Sequence, residues 1–171
     1  MGDGDGWVRT ASGVRRWGLH GAAGLLLVAD GDGGAPAAAG PHVLLQLRAG
    51  WTHLGGTWGL PGGAVDSHED AVAGALREAH EETGVPPGAV DVVGQRVTAD
   101  LGGWRYTVVL GRLRAGSGAS PSAATAESDE VRWVALDEVA RLPLHPGLAP
   151  TWEDLRLWTG DAGRPGTGRS G

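Results

Sequence analysis

The chain has 171 residues, a length that predicts a single domain with an ordinary hydrophobic core. Its formal net charge of −6 argues against broad nucleic-acid or acidic-membrane binding, which requires a basic face, but leaves small anions open. Because Cys is absent, disulfides, zinc–thiolate sites, thiol nucleophiles and iron–sulfur clusters are excluded. No apolar run approaches the roughly 20 residues of a membrane helix. We therefore expect a soluble, cytoplasmic protein that does not associate with membranes.

Gly and Pro are unusually frequent, with 32 and 10 residues, at the lower edge of the range in which low-complexity disorder becomes a serious alternative. Residues 1–16 and 159–171 are rich in small and turn-forming residues and show no apolar periodicity. The sequence therefore predicts two flexible tails around one domain at 17–158.

Arg15 and Arg16 precede an apolar stretch at 21–29, a pattern that resembles a twin-arginine export signal. The alternative is a buried first strand. We favour the strand, because a second short apolar run at 43–47 follows after a loop and could pair with it.

The elements between the tails are predicted from apolar periodicity and turn residues. In chain order they are strand 22–29, loop 31–41, strand 43–48, an irregular Gly- and Trp-containing segment to about 66, helix 68–83, strands near 92–99 and 104–113, loop 115–128, strand 130–135, a short helix 136–142 and helix 151–158. Strands and helices interleave irregularly, which predicts a mixed α/β layer domain.

The helix at 68–83 has the clearest signals. Asp66 or Ser67 is a candidate cap, since each has an acidic residue three positions later. Gly84 follows where a left-handed residue ends helices. The residues predicted to share its buried face are Val72, Ala75, Leu76 and Ala79.

Glu78, Glu81 and Glu82 stand at i, i+3 and i+4 of this helix and so share one surface. One interpretation is a solvated acidic face on which Arg77 pairs with Glu81. The turn at 59–63, Gly-Leu-Pro-Gly-Gly, favours a functional interpretation, because such a turn can aim a backbone carbonyl at an ion.

Carboxylates and a carbonyl form a site for a hard cation, which indicates Mg²⁺ or Mn²⁺ as cofactor. The cation would let the acidic pocket accept an anionic substrate such as a diphosphate, while a carboxylate deprotonates the attacking water. The predicted partner is therefore a small-molecule diphosphate.

The spacing of these residues resembles the complete Nudix box, Gly-x5-Glu-x7-Arg-Glu-U-x-Glu-Glu-x-Gly-U, where U is apolar. The seven fixed residues are Gly63, Glu69, Arg77, Glu78, Glu81, Glu82 and Gly84, and Ala79 and Val85 fill the apolar positions. A pattern of this length in a loop–helix context is specific. The similarity covers roughly residues 18–158, and the chain is identified as a MutT-like member of the Nudix hydrolase superfamily.

The resemblance implies an α/β/α sandwich with a mixed sheet between helices. It also implies a pyrophosphohydrolase that cleaves a nucleoside diphosphate linked to another moiety. Glu78, Glu81, Glu82 and the Gly62 carbonyl would bind the metal, and Glu69 would support the loop and bind metal through water. Arg77 would orient a box glutamate.

The resemblance leaves the catalytic base open. It is Glu78 in some members and a loop carboxylate outside the box in others. The loop candidates here are Glu127, Asp129 and Glu130, of which we rank Glu127 first.

Substrate contacts are predicted at Arg48, for phosphate, and at Trp51, Trp104 or Tyr106, for a base. Arg48 is equally well explained as an exposed strand-end residue. Trp133 and Trp152 are interpreted as packing residues, because Phe is absent and Trp must fill the core.

No subfamily marker selects a substrate, so a nucleoside triphosphate pyrophosphatase is the default. The protein would be a monomer or a homodimer. The rival hypothesis is a non-catalytic nucleotide-binding or regulatory Nudix domain, against which the intact set of acids counts.

Overall fold

The computed structural model describes residues 2–30 and 40–161. The predicted loop at 31–41 therefore lies mostly outside the described residues, as do residues 162–171 of the predicted C-terminal tail. Among the helices of the described ranges, none has the length and apolar character needed to cross a membrane.

The described residues form nine strands and two α-helices. The strands are β1 (Trp7–Arg9), β2 (Arg15–Trp17), β3 (Ala22–Ala29), β4 (His42–Arg48), β5 (Trp58–Gly59), β6 (Gly62–Ala64), β7 (Val90–Asp100), β8 (Arg105–Leu113) and β9 (Ser128–Ala135). The helices are α1 (Ala71–Thr83) and α2 (Trp152–Asp161).

Strand β3 lies at the centre of a seven-stranded sheet of order β5-β4-β3-β8-β7, in which β6 also pairs with β3 and β9 with β4. β3 and β8 are parallel, whereas the other pairs are antiparallel, so the sheet is mixed. The predicted pairing of the first two apolar runs is confirmed, with Val28 opposite Val43. Every residue of β3 is buried, which explains its continuous apolar sequence.

Alternate residues of β3 enter two cores on opposite faces of the sheet. Leu25 and Leu27 pack with the buried face of α1. Leu26 and Val28 pack with Trp152 and other residues of α2. The predicted α/β/α sandwich with a mixed sheet is confirmed, and Trp133 and Trp152 are packing residues as predicted.

Helix α1 begins later than predicted. Its N-cap is Asp70, whose Oδ1 accepts a hydrogen bond from the Ala73 N–H at 2.8 Å, so the prediction of Asp66 or Ser67 was wrong. Asp66 is instead buried, and its Oδ1 accepts from the Gly4 N–H at 2.7 Å. The predicted end is confirmed, because Gly84 has φ 75° and its N–H bonds the His80 carbonyl.

The N-terminal segment is an ordered hairpin, where the sequence analysis predicted a flexible tail at 1–16. β1 pairs with β2, and Trp7 stands opposite Trp17. The segment before the hairpin docks on the residues that precede α1, where the Asp3 carboxylate accepts from the Ser67 N–H at 2.8 Å. Such contacts join residues more than 60 positions apart, so local periodicity carries no sign of them.

The C-terminal half differs from prediction in detail. The predicted short helix at 136–142 is only a 3₁₀ turn at Val139–Arg141. The last predicted helix is confirmed as α2. A 3₁₀ turn at Ala149–Thr151 precedes α2, and α2 extends to Asp161, past the predicted domain end at 158.

Candidate active site

The turn before α1 brings backbone and carboxylates together because glycines allow close approach. Gly62 lies opposite Gly24 of β3, and a Cβ on Gly62 would stand 2.3 Å from the Ala23 carbonyl oxygen. A Cβ on Gly63 would stand 2.6 Å from the Glu78 carboxylate. Any larger residue at these positions would displace either the strand or a box glutamate.

Glu82 is a buried carboxylate with two hydrogen-bond donors. It is 7% exposed, its Oε2 accepts from the Gly62 N–H at 2.8 Å, and its Oε1 accepts from the Gln46 side-chain amide at 3.1 Å. Burial raises the pKa of Glu82 to about 7, against the two hydrogen bonds, which favour the charged form. A strongly perturbed carboxylate beside other acids is typical of a functional site.

Arg77 bonds both Glu69 and Glu78. Its Nε and Nη2 donate to the two Glu69 oxygens at 2.8 and 3.0 Å, and its Nη1 donates to Glu78 at 2.8 Å. Nη2 also donates to the Ala64 carbonyl at 3.0 Å, and Glu81 lies 3.6 Å away. This fork holds two carboxylates in fixed positions and keeps the pKa of Glu69 below its usual value.

The three box carboxylates occupy different environments. The Glu78 side chain is 16% exposed and that of Glu81 is 56% exposed, whereas Glu82 is buried. Burial raises the pKa of Glu78, partly offset by Arg77. The set is made only of hard oxygen donors and ranges from buried to exposed, which suits a divalent cation open to substrate on one side.

The loop before β9 lies beside this end of α1. The Ala124 N–H donates to the Glu82 backbone carbonyl at 2.9 Å, and the Ala49 N–H donates to the Glu127 carbonyl at 2.8 Å. The Glu127 side chain is exposed. The structure thus brings the loop that carries this candidate base to the C-terminal end of α1.

The other two loop acids have partners elsewhere. Asp129 accepts from the Gly50 N–H at 3.2 Å. Glu130 lies 3.6 Å from Arg132, in an exposed ion pair. Neither contact involves a box residue.

Two of the predicted substrate residues lie near Glu82. Arg48 ends β4, and its charge offsets a small part of the rise that burial causes in the pKa of Glu82. The Tyr106 hydroxyl fills the space over Gly24, 2.2 Å from where a Cβ would stand there. Burial, followed by the Glu82 charge, raises the pKa of Tyr106 to about 12, which keeps its hydroxyl protonated.

The other two predicted substrate residues are placed differently. Trp104 is only 6% exposed, stacks on Tyr106 at 6.4 Å between ring centroids, and donates its indole N–H to the Trp17 carbonyl. Trp51 is 71% exposed in the loop after β4. The burial of Trp104 favours a supporting position over direct contact with a base.

Gln46 is a site residue that the sequence analysis missed. It is 2% exposed and orients Glu82, and its own carbonyl accepts from the Ser128 hydroxyl at 3.3 Å. A signal was present, since Gln46 is the one polar residue in the apolar run at 43–47.

A second acidic group lies at the N-terminal segment. Asp3, Asp66 and His68 each bring one potential ligand atom within 4.8 Å of the others. Backbone N–H groups of Gly4 and Ser67 already bond the two carboxylates, which explains this cluster as a docking contact.

Comparison with known proteins places these features in a family. The NUDIX domain family matches residues 18–155. The chain is 51% identical over 160 residues to the Mycobacterium tuberculosis protein named "Putative 8-oxo-dGTP diphosphatase 3", covering 91% of this chain and 70% of that protein. It is 40% identical over 149 residues to a Bifidobacterium longum "Nucleoside triphosphate pyrophosphatase/Nudix hydrolase fusion protein", covering 87% of this chain and 30% of that protein.

Among solved structures, the Nudix hydrolase RenU from M. smegmatis matches with a TM-score of 0.82 and 45% identity, over 95% of this chain and 99% of that one. Three observations point to the same family: the matching fold, the box on the turn and α1, and the sequence identity. The chain belongs to the Nudix family and is a MutT-like Nudix hydrolase, a pyrophosphohydrolase.

Proposed function

We propose that this protein hydrolyses nucleoside triphosphates, with oxidised dGTP as the first candidate, in a reaction that depends on Mg²⁺ or Mn²⁺. The name of the M. tuberculosis relative supports the substrate class. The observation that carries the proposal is Glu82, a buried carboxylate that hydrogen bonds hold beside the Gly62 turn. A cytoplasmic location and a monomer or homodimer stay predictions.

The acidic set fits a divalent cation. Glu78, Glu81, Glu82 and the Gly62 carbonyl would hold it, and Glu69 would act through water. When bound, the cation offsets the repulsion among the carboxylates and polarises phosphate oxygens of the substrate. The burial of Glu82 supports this assignment, because a buried anion without a nearby cation is costly.

The protein's own groups then orient the reactants. Arg77 fixes Glu78 and Glu69 through its fork, and Arg48 binds a substrate phosphate. A carboxylate removes a proton from water as the water oxygen bonds to phosphorus and the P–O bond of the anhydride breaks. The base is Glu78 or Glu127, and burial raises the pKa of Glu78, which makes it a stronger base than an ordinary carboxylate.

The test is a panel of dGTP, 8-oxo-dGTP, dATP and ADP-ribose, assayed with Mg²⁺, with Mn²⁺ and with EDTA, and with products identified by chromatography. We expect the triphosphates to give a nucleoside monophosphate and inorganic pyrophosphate only when a divalent cation is present. Glu78→Gln and Glu82→Gln should each lower kcat roughly 10²-fold or more while circular dichroism shows an intact fold.

The control variant is Glu138→Gln, which removes an exposed acid 3.8 Å from Arg141, outside the box. Its turnover should match the parent. Nucleotide binding without product across the panel would contradict hydrolysis and favour the regulatory alternative. A pH–rate profile of Glu127→Gln separates the candidate bases, because loss of the true base removes the acidic limb.

A further inference from the structure

The hairpin β1–β2 presents an aromatic and cationic face. Residues directly opposite in an antiparallel pair share a face, so Trp7 and Trp17 lie together, and Arg9 and Arg15 lie beside them. Trp7 is 46% exposed and Trp17 is 43% exposed, with their ring centroids 5.5 Å apart. The Arg15 guanidinium carbon lies 4.8 Å from the Trp7 ring centroid.

One side of this face connects to the box through aromatic residues. The Trp17 carbonyl accepts the indole N–H of Trp104 at 3.0 Å, and Trp104 stacks on Tyr106. The Tyr106 hydroxyl covers Gly24, opposite Gly62, whose N–H bonds Glu82. The hairpin is therefore anchored to the strand pair that holds the buried carboxylate.

The other side connects to the box through the loop after β4. Trp7 and His53 meet edge to face, with centroids 6.2 Å apart, and the His53 carbonyl accepts from Arg48 Nε at 3.3 Å. Gln46, two residues before Arg48 on β4, donates to Glu82. The hairpin is therefore linked to the surroundings of Glu82 on this side also, through His53 and strand β4.

The chemistry of the hairpin suits the base end of a nucleotide. Between residues 6 and 19 the chain has three Arg and no acidic residue, although its net charge is −6. Aromatic side chains stack on nucleobases, and Arg attracts the phosphates of the same ligand. Trp104 and Tyr106 already stack on each other, whereas Trp7 is exposed.

We propose that the N-terminal hairpin is the base-recognition element of the active site and that Trp7 stacks on the nucleobase of the substrate. This proposal rests on the proposed nucleotide hydrolysis. It makes the hairpin, all of which precedes the family match at 18–155, part of the substrate site.

The experiment compares substrates with and without a base. Parent, Trp7→Leu, Trp7→Tyr and the control Val14→Ser are assayed with Mg²⁺ on dGTP, 8-oxo-dGTP and abasic 2-deoxyribose 5-triphosphate. Val14 is a 43% exposed apolar residue of the same hairpin, outside the Trp face. Calorimetry of each variant with dGTP and with the abasic triphosphate in Ca²⁺ reports binding apart from turnover.

Trp7→Leu should raise KM for both nucleotides and Kd for dGTP roughly 10-fold while kcat changes little, since stacking contributes to binding. Trp7→Tyr should restore most of the affinity, and Val14→Ser should match the parent. The abasic triphosphate should bind all four proteins equally.

Equal weakening for nucleotides and the abasic compound would overturn the proposal, because the hairpin would then act through folding alone. Unchanged nucleotide binding in Trp7→Leu would also overturn it. Base-dependent binding without hydrolysis in the parent would contradict the proposed function and leave the hairpin assignment supported.

Discussion

Replacing Glu82 with Gln should stabilise the protein when no metal is present, although it should abolish activity. Glu82 is 7% exposed, and burial raises its pKa from 4.5 to about 7. The folded state therefore holds an anion that would be more stable in water. Gln has the same shape as Glu but no charge. The side-chain amide of Gln46 can rotate by half a turn, so that its oxygen accepts a hydrogen bond from the new amide at position 82.

The magnitude follows from linkage between protonation and folding. A difference of about 2.5 pKa units at 1.36 kcal/mol per unit corresponds to about 3 kcal/mol. Below pH 4.5 the carboxyl is protonated in both states and this cost is absent. Between pH 4.5 and 7 only the unfolded chain ionises, so the free energy of unfolding of the parent falls as pH rises through this window.

The assay is chemical denaturation in EDTA at pH 5 and pH 8. Glu82→Gln should exceed the parent in free energy of unfolding by up to about 3 kcal/mol at pH 8 and by about 1 kcal/mol at pH 5. Glu81→Gln is the control, because that side chain is 56% exposed and should change stability little. Added Mg²⁺ should stabilise the parent by binding the folded state and should have a much smaller effect on Glu82→Gln.

A variant less stable than the parent at pH 8 in EDTA would refute this reasoning. So would a stability difference that is the same at both pH values, since the effect would then be unrelated to ionisation.

Two further predictions concern the turn before α1 and the N-cap residue of that helix. Gly63→Ala places a methyl group 2.6 Å from the Glu78 carboxylate. The variant should lower kcat roughly 10-fold or more, while its melting temperature changes little. An unchanged kcat would show that Glu78 need not hold its position. Asp70→Ala removes the N-cap hydrogen bond from the Ala73 N–H and should lower the free energy of unfolding by about 1 kcal/mol in chemical denaturation. Turnover should not change, because the cap lies at the opposite end of α1 from Glu82. A loss of activity at full stability would contradict this prediction.

The chemistry of the site could be predicted from local spacing. Glu78, Glu81 and Glu82 share a surface because a helix turns every 3.6 residues, and Gly84 ends that helix for a conformational reason visible in one residue type. The apolar run of β3 likewise predicted a buried strand. The predicted layers and mixed sheet followed from these signals.

The start of α1 was predicted wrongly because Asp66 and Asp70 both have a side chain that can cap a helix. Asp66 has the side chain and the spacing of a cap, but Gly4, 62 positions earlier, donates to it in the folded chain. In the folded chain Asp66 bonds the N-terminal segment, and Asp70 caps the helix.

The sequence by itself determined which acids stand together on α1, where that helix ends and that residues 22–29 form a buried strand, because each property depends on neighbours within a few residues. Only the tertiary structure decided that Gln46 orients Glu82 and that Trp7 contacts His53 in the loop after β4. Those contacts join distant parts of the chain, and residue periodicity carries no information about which distant partner a side chain meets.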